Sequence, residues 1–309
     1  MVNVTAAMVK ALREVTGAGV MDCKRALIEA EGNQEVAVEN LRKAGLAMAA
    51  KKAGRIAAEG LVAYKVSEDC KKAAIVEVNS ETDFVAKNEI FKEFVANVAA
   101  QALETKASNM DEFKAEPWIE DPSTTVADAL VAKVALIHEN LQIRRFEKME
   151  SEGYIASYLH GGGRIGVLVN LECQEVNDDV KECGHNVAMQ IAALTPLYVS
   201  EKDVDAEFLA KEKEIILGQI DQDEKAASKP QQVKEKMAEG KMKKRLKEVC
   251  LVDQDYFRDD MSVGAYVESV SKKVGFPVCV KSFIRFETGE GIEKKQEDFA
   301  AEVAKQMGQ

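Results

Sequence analysis

"EGYIASYLHGGGRIGVLVNL", residues 152–171, reads as two strands joined by a glycine-rich turn. Its opening, Glu152-Gly153-Tyr154-Ile155-Ala156-Ser157-Tyr158, resembles Glu59-Gly60-Leu61-Val62-Ala63-Tyr64 earlier in the chain. An apolar strand follows each copy: Ala74 to Val78 in the first, Gly166 to Leu171 in the second. A helical stretch comes next, with Asn97-Val98-Ala99-Ala100-Gln101 matched by Asn186-Val187-Ala188-Met189-Gln190. Matching residues stay about 90 apart throughout. An internal repeat of this kind predicts two related α/β halves, each a hairpin with a helix packed on its sheet. The fold class is α+β.

Other segments surround this duplicated core. Residues 1–54 read as a small three-helix module. Val4, Met8, Ala11 and Leu12 recur at helical spacing, and Thr16 to Gly19 and Glu31 to Asn33 interrupt the pattern. Val36, Ala37, Asn40 and Leu41 mark the third helix, and Ala44 to Gly60 reads as a linker or a soft helix. The first half of the core spans 55–145. It closes with a helix that Ser123 or Thr124 is expected to cap, lined by Val126, Leu130, Val134 and Ile137. The second half takes 146–202 and 249–288, interrupted by charged, helical residues 203–248. There Phe208 and Leu209 recur seven positions on as Ile215 and Ile216, and Ser228-Lys229-Pro230 marks a turn, so an inserted antiparallel hairpin of helices is expected. Val278, Val280, Ile284 and Phe286 alternate with Cys279, Lys281, Arg285 and Glu287 as a returning strand. A C-terminal module, 289–309, carries a last helix over 294–307 with Phe299, Val303 and Met307.

The bulk numbers exclude several function classes. The chain has 309 residues and a formal net charge of -11, which opposes binding of nucleic acid as a polyanion. The basic run Lys241 to Lys247 reads as a solvated helix face. No apolar run reaches a membrane span, and the N-terminus lacks the order of a signal peptide. The six cysteines form no CxxC pair and read as reduced cytosolic thiols. Cys183 and His185, with Cys173 distant, do not make a metal set. Gly161 to Gly166 matches GxGxxG, but a strand follows where a dinucleotide site needs a helix, so a hairpin turn is the simpler reading. No cofactor is expected. Of the three histidines, His138 and His185 lie in helical patterns, while His160 sits at a hairpin tip, a better place for a contact.

Thr82-Asp83-Phe84 leaves two readings open. Thr82 or Asp83 caps a helix and Phe84 packs inward, or the aromatic is uncovered and finds its shelter in another molecule. Ile90, Phe91, Phe94, Val95, Val98 and Ala102 already complete the apolar stripe of the following helix without it.

Four stretches in order carry a resemblance to a known family. They are Leu12-Arg13-Glu14-Val15-Thr16-Gly17-Ala18-Gly19-Val20-Met21-Asp22-Cys23-Lys24-Arg25-Ala26-Leu27, Glu77-Val78-Asn79-Ser80-Glu81-Thr82-Asp83-Phe84-Val85-Ala86-Lys87, His160-Gly161-Gly162-Gly163-Arg164-Ile165-Gly166-Val167, and Phe283-Ile284-Arg285-Phe286-Glu287 with Gly289-Glu290-Gly291. Together they resemble the bacterial elongation factor Ts family, guanine-nucleotide exchange factors for elongation factor Tu. The resemblance covers nearly the whole chain. It implies a ubiquitin-associated-like (UBA-like) N-domain, a two-part core, a coiled-coil insertion and a C-terminal helical module. It implies a cytoplasmic exchange factor that acts by binding, not an enzyme with covalent chemistry. Its partner would be elongation factor Tu, in the GDP and nucleotide-free forms. Thr82, Asp83, Phe84 and Val85 would enter near the partner's magnesium and phosphate site. Arg13, Val20 and Met21 would touch the same G domain, and His160 with Gly161 another domain. The hairpin, longer and more charged than in the shortest members, offers a possible homodimer contact. A non-catalytic adaptor binding through the helical module is the alternative.

Overall fold

The Thr5 hydroxyl accepts the Met8 N–H and starts α1 (Ala6–Thr16). Gly17, at φ 65°, ends that helix and hands its N–H to the Arg13 carbonyl. After it come α2 (Val20–Glu29) and α3 (Gln34–Lys52), the latter capped by the Asn33 side chain. Leu12, Cys23, Leu27 and Ala37 form the small core of these helices. The computed structural model describes residues 4–223, 226 and 229–293. The last helix expected over 294–307 lies outside the described residues.

Of the two readings left open for Ala44 to Gly60, linker or soft helix, the helix takes the first part: α3 continues to Lys52. Its alanines favour helix, and their small side chains allow close approach to a neighbour. That neighbour is α7 (Val126–Ile137): Arg42 pairs with Asp128 at 2.8 Å, and Lys52 donates to the His138 carbonyl at 2.7 Å. The helical module is thereby fastened to the core. A correction concerns the start of α7. Thr125, not Ser123 or Thr124, is its cap, because only Thr125 has an acid three residues on, Asp128, to complete a reciprocal capping box.

The core has four layers. One sheet joins β1 (Glu59–Val66), β2 (Lys72–Ser80) and β3 (Gln142–Glu150) in that order, all antiparallel. The other joins β4 (Tyr154–His160), β5 (Ile165–Cys173) and β6 (Val278–Glu287) in the same way. Outside the first sheet lie α5 (Glu89–Glu104), the short α6 (Met110–Ala115) and α7, over a core of Val76, Val78, Phe91, Phe94 and Ile143. Outside the second lie α8 (Asp178–Leu194) and α11 (Val263–Val274), over Val167, Val169, Val187 and Ile191. The two sheets meet face to face through Val62, Ile75, Ile155, Leu168 and Phe286. Each such side chain gains roughly 1.5–3 kcal/mol on full burial.

The duplication is legible in backbone detail. A Cβ on Gly60 would lie 2.2 Å from the Val78 carbonyl oxygen, and one on Gly153 would lie 2.1 Å from that of Leu171. Both ladders carry a bulge at matching places, opposite Glu77/Val78 and Asn170/Leu171 of the central strands, with the extra residue on the third strand, Arg144 in β3 and Lys281 in β6. The second bulge corrects the simple alternation expected for β6. An extra residue on β6 resets its phase, so Val278 and Val280 face the helices while Ile284 and Phe286 face the other sheet.

Between α8 and the loop before α11 stand α9 (Ala206–Gln222) and α10 (Gln231–Val249). Ion pairs Asp221–Lys234 and Glu212–Arg245 fix them antiparallel. The buried seam runs through Ile216, Ile220 and Ala238; Ile215, expected in the stripe, is exposed, because it stands about 100° round the helix from Ile216, which takes the seam. Among the described residues no helix is long and apolar enough to cross a membrane.

Candidate functional site

Ser80 closes β2, and its hydroxyl turns back onto the Thr82 carbonyl at 2.9 Å. Thr82 is extended, and a single helical turn, α4 (Asp83–Ala86), follows. Asn88 then caps α5 through the Ile90 N–H at 2.8 Å. One turn of helix cannot bury two successive side chains on the same side. Val85 points into the core of the first half, whereas Phe84 is 79% exposed, the most exposed large hydrophobic side chain among the described residues. This decides the open reading: Phe84 does not pack inward. Val85, expected in the same contact, is buried in this chain and anchors the turn from beneath.

Charges frame the exposed ring. Asp83 and Lys87 pair at 2.7 Å, one helical turn apart, and the Lys87 ammonium stands 5.8 Å from the Phe84 ring centre. The hydrogen bond and charge of Lys87 hold the Asp83 carboxyl below the usual aspartate range. Two further acids grip the loop on either side. Glu139 accepts the Thr82 N–H at 3.0 Å and its hydroxyl at 2.7 Å. Glu81 accepts the Asn140 N–H at 2.6 Å and faces Arg55 at 3.3 Å.

Comparison of the two copies isolates this turn. In the second, Cys173 closes β5 and Asn177 caps α8, with no helix between. In the first, the four residues of α4 are added between Ser80 and Asn88. The repeat gives the fold; the added turn is the feature the fold does not require.

At the base of the same strand, Glu77 is fully buried. Its carboxylate accepts from Gly289 N–H at 2.8 Å, Asn79 at 3.0 Å, Arg144 at 3.0 Å and Arg145 at 2.6 Å. Burial pushes this carboxyl up, but the hydrogen bonds from Gly289, Asn79 and Arg144 and the charge of Arg145 outweigh it and hold it below the ordinary glutamate value. Gly289 follows β6, so Glu77 ties the first half to the second. A concavity of about 390 Å³ beside Arg144, Arg145 and Lys148 has its cations engaged by Glu77 and the Thr105 carbonyl.

The other expected residues lie on two further surfaces. Arg13, Val20 and Met21 flank the Gly17 turn, and Val20 and Met21 are exposed. Val15 shares that exposed corner and was missed, because its spacing from Ala11 and Leu12 continues the pattern of a buried stripe. His160 and Gly161 form the exposed tip between β4 and β5, where Gly161, Gly162 and Gly163 all take positive φ. The Tyr158 hydroxyl lies 3.0 Å from His160 Nδ1, and the Tyr158 ring meets His185 edge-on. His138 caps the end of α7 in the left-handed conformation. Burial, with the Glu182 charge, pushes the Cys183 thiol up to about 12, as suits a core residue. Among the described residues, no hydrogen bond, ion pair or ring contact joins the Phe84 turn, the Gly17 corner and the His160 tip to one another.

Known proteins resemble this chain over its length. The family model described as "Elongation factor TS" matches residues 81–290. The protein named elongation factor Ts of Clostridium kluyveri is 52% identical over 306 residues, covering 98% of this chain and 99% of its own. That of Clostridium tetani is likewise 52% identical over 306 residues, with the same coverage. That of Clostridioides difficile is 50% identical over 308 residues, covering 99% of this chain and all of its own.

Proposed function

This chain belongs to the elongation factor Ts family, and on that premise we propose that it promotes release of GDP from elongation factor Tu during translation elongation in the cytoplasm. It acts by binding, without covalent chemistry. The observation that carries the reading is Phe84: a large aromatic, 79% exposed, on a turn tied at its start by the Thr82–Glu139 and Glu81–Asn140 hydrogen bonds. Burial of that ring in the partner supplies roughly 1.5–3 kcal/mol to drive insertion. Thr82, Asp83 and Phe84 enter near the partner's magnesium and phosphates. Magnesium demands near-ideal octahedral geometry, so a small displacement of its surroundings costs much of the nucleotide's affinity. Asp83, held ionised by Lys87, competes for groups that order the metal site. Arg13, Val20 and Met21 dock on the G domain, and His160 with Gly161 on another domain of the partner.

Linkage makes the antagonism mutual. The factor weakens the nucleotide and the nucleotide weakens the factor, so an incoming nucleotide ejects it and it turns over. The domain divisions given above follow the same reading, with α9 and α10 as a coiled-coil hairpin that offers a second copy of this chain a surface; sedimentation velocity with and without the hairpin tests that contact.

Elongation factor Tu preloaded with labelled GDP provides the main test. Substoichiometric amounts of this chain should empty many partner molecules, and Phe84→Ala should slow release roughly 10- to 100-fold. The exposed apolar corner of Val15, Val20 and Met21 favours one other reading, an adaptor that binds through its helical module. An adaptor leaves the release rate unchanged.

A further inference from the structure

Thr82 joins β2 to α4, and both of its donors end on one carboxylate. Its N–H reaches Glu139 Oε2 at 3.0 Å and its hydroxyl reaches Oε1 at 2.7 Å. The neighbouring residues return the contact. Glu81 accepts the Asn140 N–H at 2.6 Å, and the Asn140 side chain donates to the Arg55 carbonyl at 2.7 Å. The loop after β2 and the loop after α7 thus bind each other by carboxylate-to-amide bonds in both directions. Such charge-assisted bonds are short and strongly directional.

The second copy shows what the fold needs. There α11 ends at Gly275, in the left-handed conformation that His138 adopts at the end of α7. The next residue is Phe276, where the first copy has Glu139. That copy also lacks the added turn. The carboxylate is present only in the copy that carries Phe84, and the duplicated architecture forms without it.

The geometry points to Glu139 as the positioning residue for Phe84: by holding Thr82 it fixes the direction in which the turn presents the ring. Its part is to act through the turn, by way of its two bonds to Thr82. This assignment rests on the exchange reading given above. A fixed turn docks without first losing conformational freedom, whereas a loose one must be ordered at the moment of binding.

The test is a mutant cycle on full-length chains, read as the GDP release rate from preloaded elongation factor Tu at saturating factor, with melting curves alongside. Glu139→Gln keeps the side-chain volume but carries no charge: its carbonyl can accept the Thr82 N–H while its amide can at most donate to the Thr82 hydroxyl, and exchanging two charge-assisted bonds for weaker neutral ones is expected to slow release about tenfold. In a Phe84→Ala background it should cause no further loss, because both changes act on one event. Thr82→Val, which removes the hydroxyl donor, should also slow release. Should Glu139→Gln fail to fold, Thr82→Val, made alone and in the Phe84→Ala background, carries the same decision. Release at full speed in Glu139→Gln and Thr82→Val, or an equal slowing by Glu139→Gln in both backgrounds, overturns the assignment while Phe84→Ala remains slow. Full-speed release by Phe84→Ala is a different outcome, and overturns the exchange reading beneath it.

Discussion

Phe84 and Val85 are neighbours with opposite work. The first is exposed and the second lies in the core of the first half. Their truncations should therefore separate function from stability. Phe84→Ala removes only the exposed contact with Lys87 and should change unfolding free energy by less than about 1 kcal/mol. Val85→Ala leaves a small cavity under the turn and should cost roughly 1–3 kcal/mol. Urea titrations of the two variants, read beside their release rates, check the contrast. A stable Phe84→Ala with slow exchange and an unstable Val85→Ala with correct exchange per folded molecule are the expected pair. A destabilised Phe84→Ala would mean the ring is covered by its own chain in solution.

At the scale of elements, the hairpin of α9 and α10 has its own seam in Ile216, Ile220, Ala226 and Ala238. It is rooted by a short patch of backbone pairing: Leu197 and Tyr198 donate to the Val249 carbonyl, and Leu251 donates back to Tyr198. Elements with separate cores and narrow roots unfold as separate units. Excising residues 206–248 and closing the gap with a short Gly-Ser linker should leave the four-layer core folded, with its main melting transition within a few degrees of the intact chain. Calorimetry of the shortened chain checks this; collapse of that transition would show that the hairpin props up the second half. The four-residue α4 is the opposite kind of insertion. It is too short to have a core of its own, and it borrows one through Val85 and is clamped through Thr82.

Across the whole molecule, the two halves are joined by an apolar sheet-to-sheet face and by one buried charge. Glu77 sits on the first half and takes the Gly289 N–H from the second, with Arg145 reaching both Glu77 and Glu290. Its folded pKa lies below the ordinary glutamate value, so its contribution is complete above that value and is lost as pH falls through the folded one. Glu77→Gln should cost about 3 kcal/mol near neutral pH, the low end for a broken buried pair because both arginines are partly exposed. The gap to the unchanged chain should narrow as the pH drops below the ordinary glutamate range. Denaturant midpoints of the two chains between neutral pH and pH ~3 check the sign; a gap that widens on acidification would overturn it.

The repeat around residue 153, the glycine tip, the helical corner at Gly17 and the inserted hairpin were all legible in the sequence. Each is a local pattern: period, breaker or cap, written within one element or copied between two. The sequence also posed the question of Phe84, because the stripe of α5 was complete without it. Local pattern could not answer it, since a neighbour from anywhere in the chain might have covered the ring. The same limit explains the phase of β6, which a bulge beside β5 resets, and the reach of α3 onto α7. It explains Glu139 and Thr82, 57 positions apart, and Glu77 and Gly289, 212 apart. Periodicity records which side chains leave water; only the folded chain decides which distant group meets them, because that choice is made by packing geometry and not by neighbours in sequence.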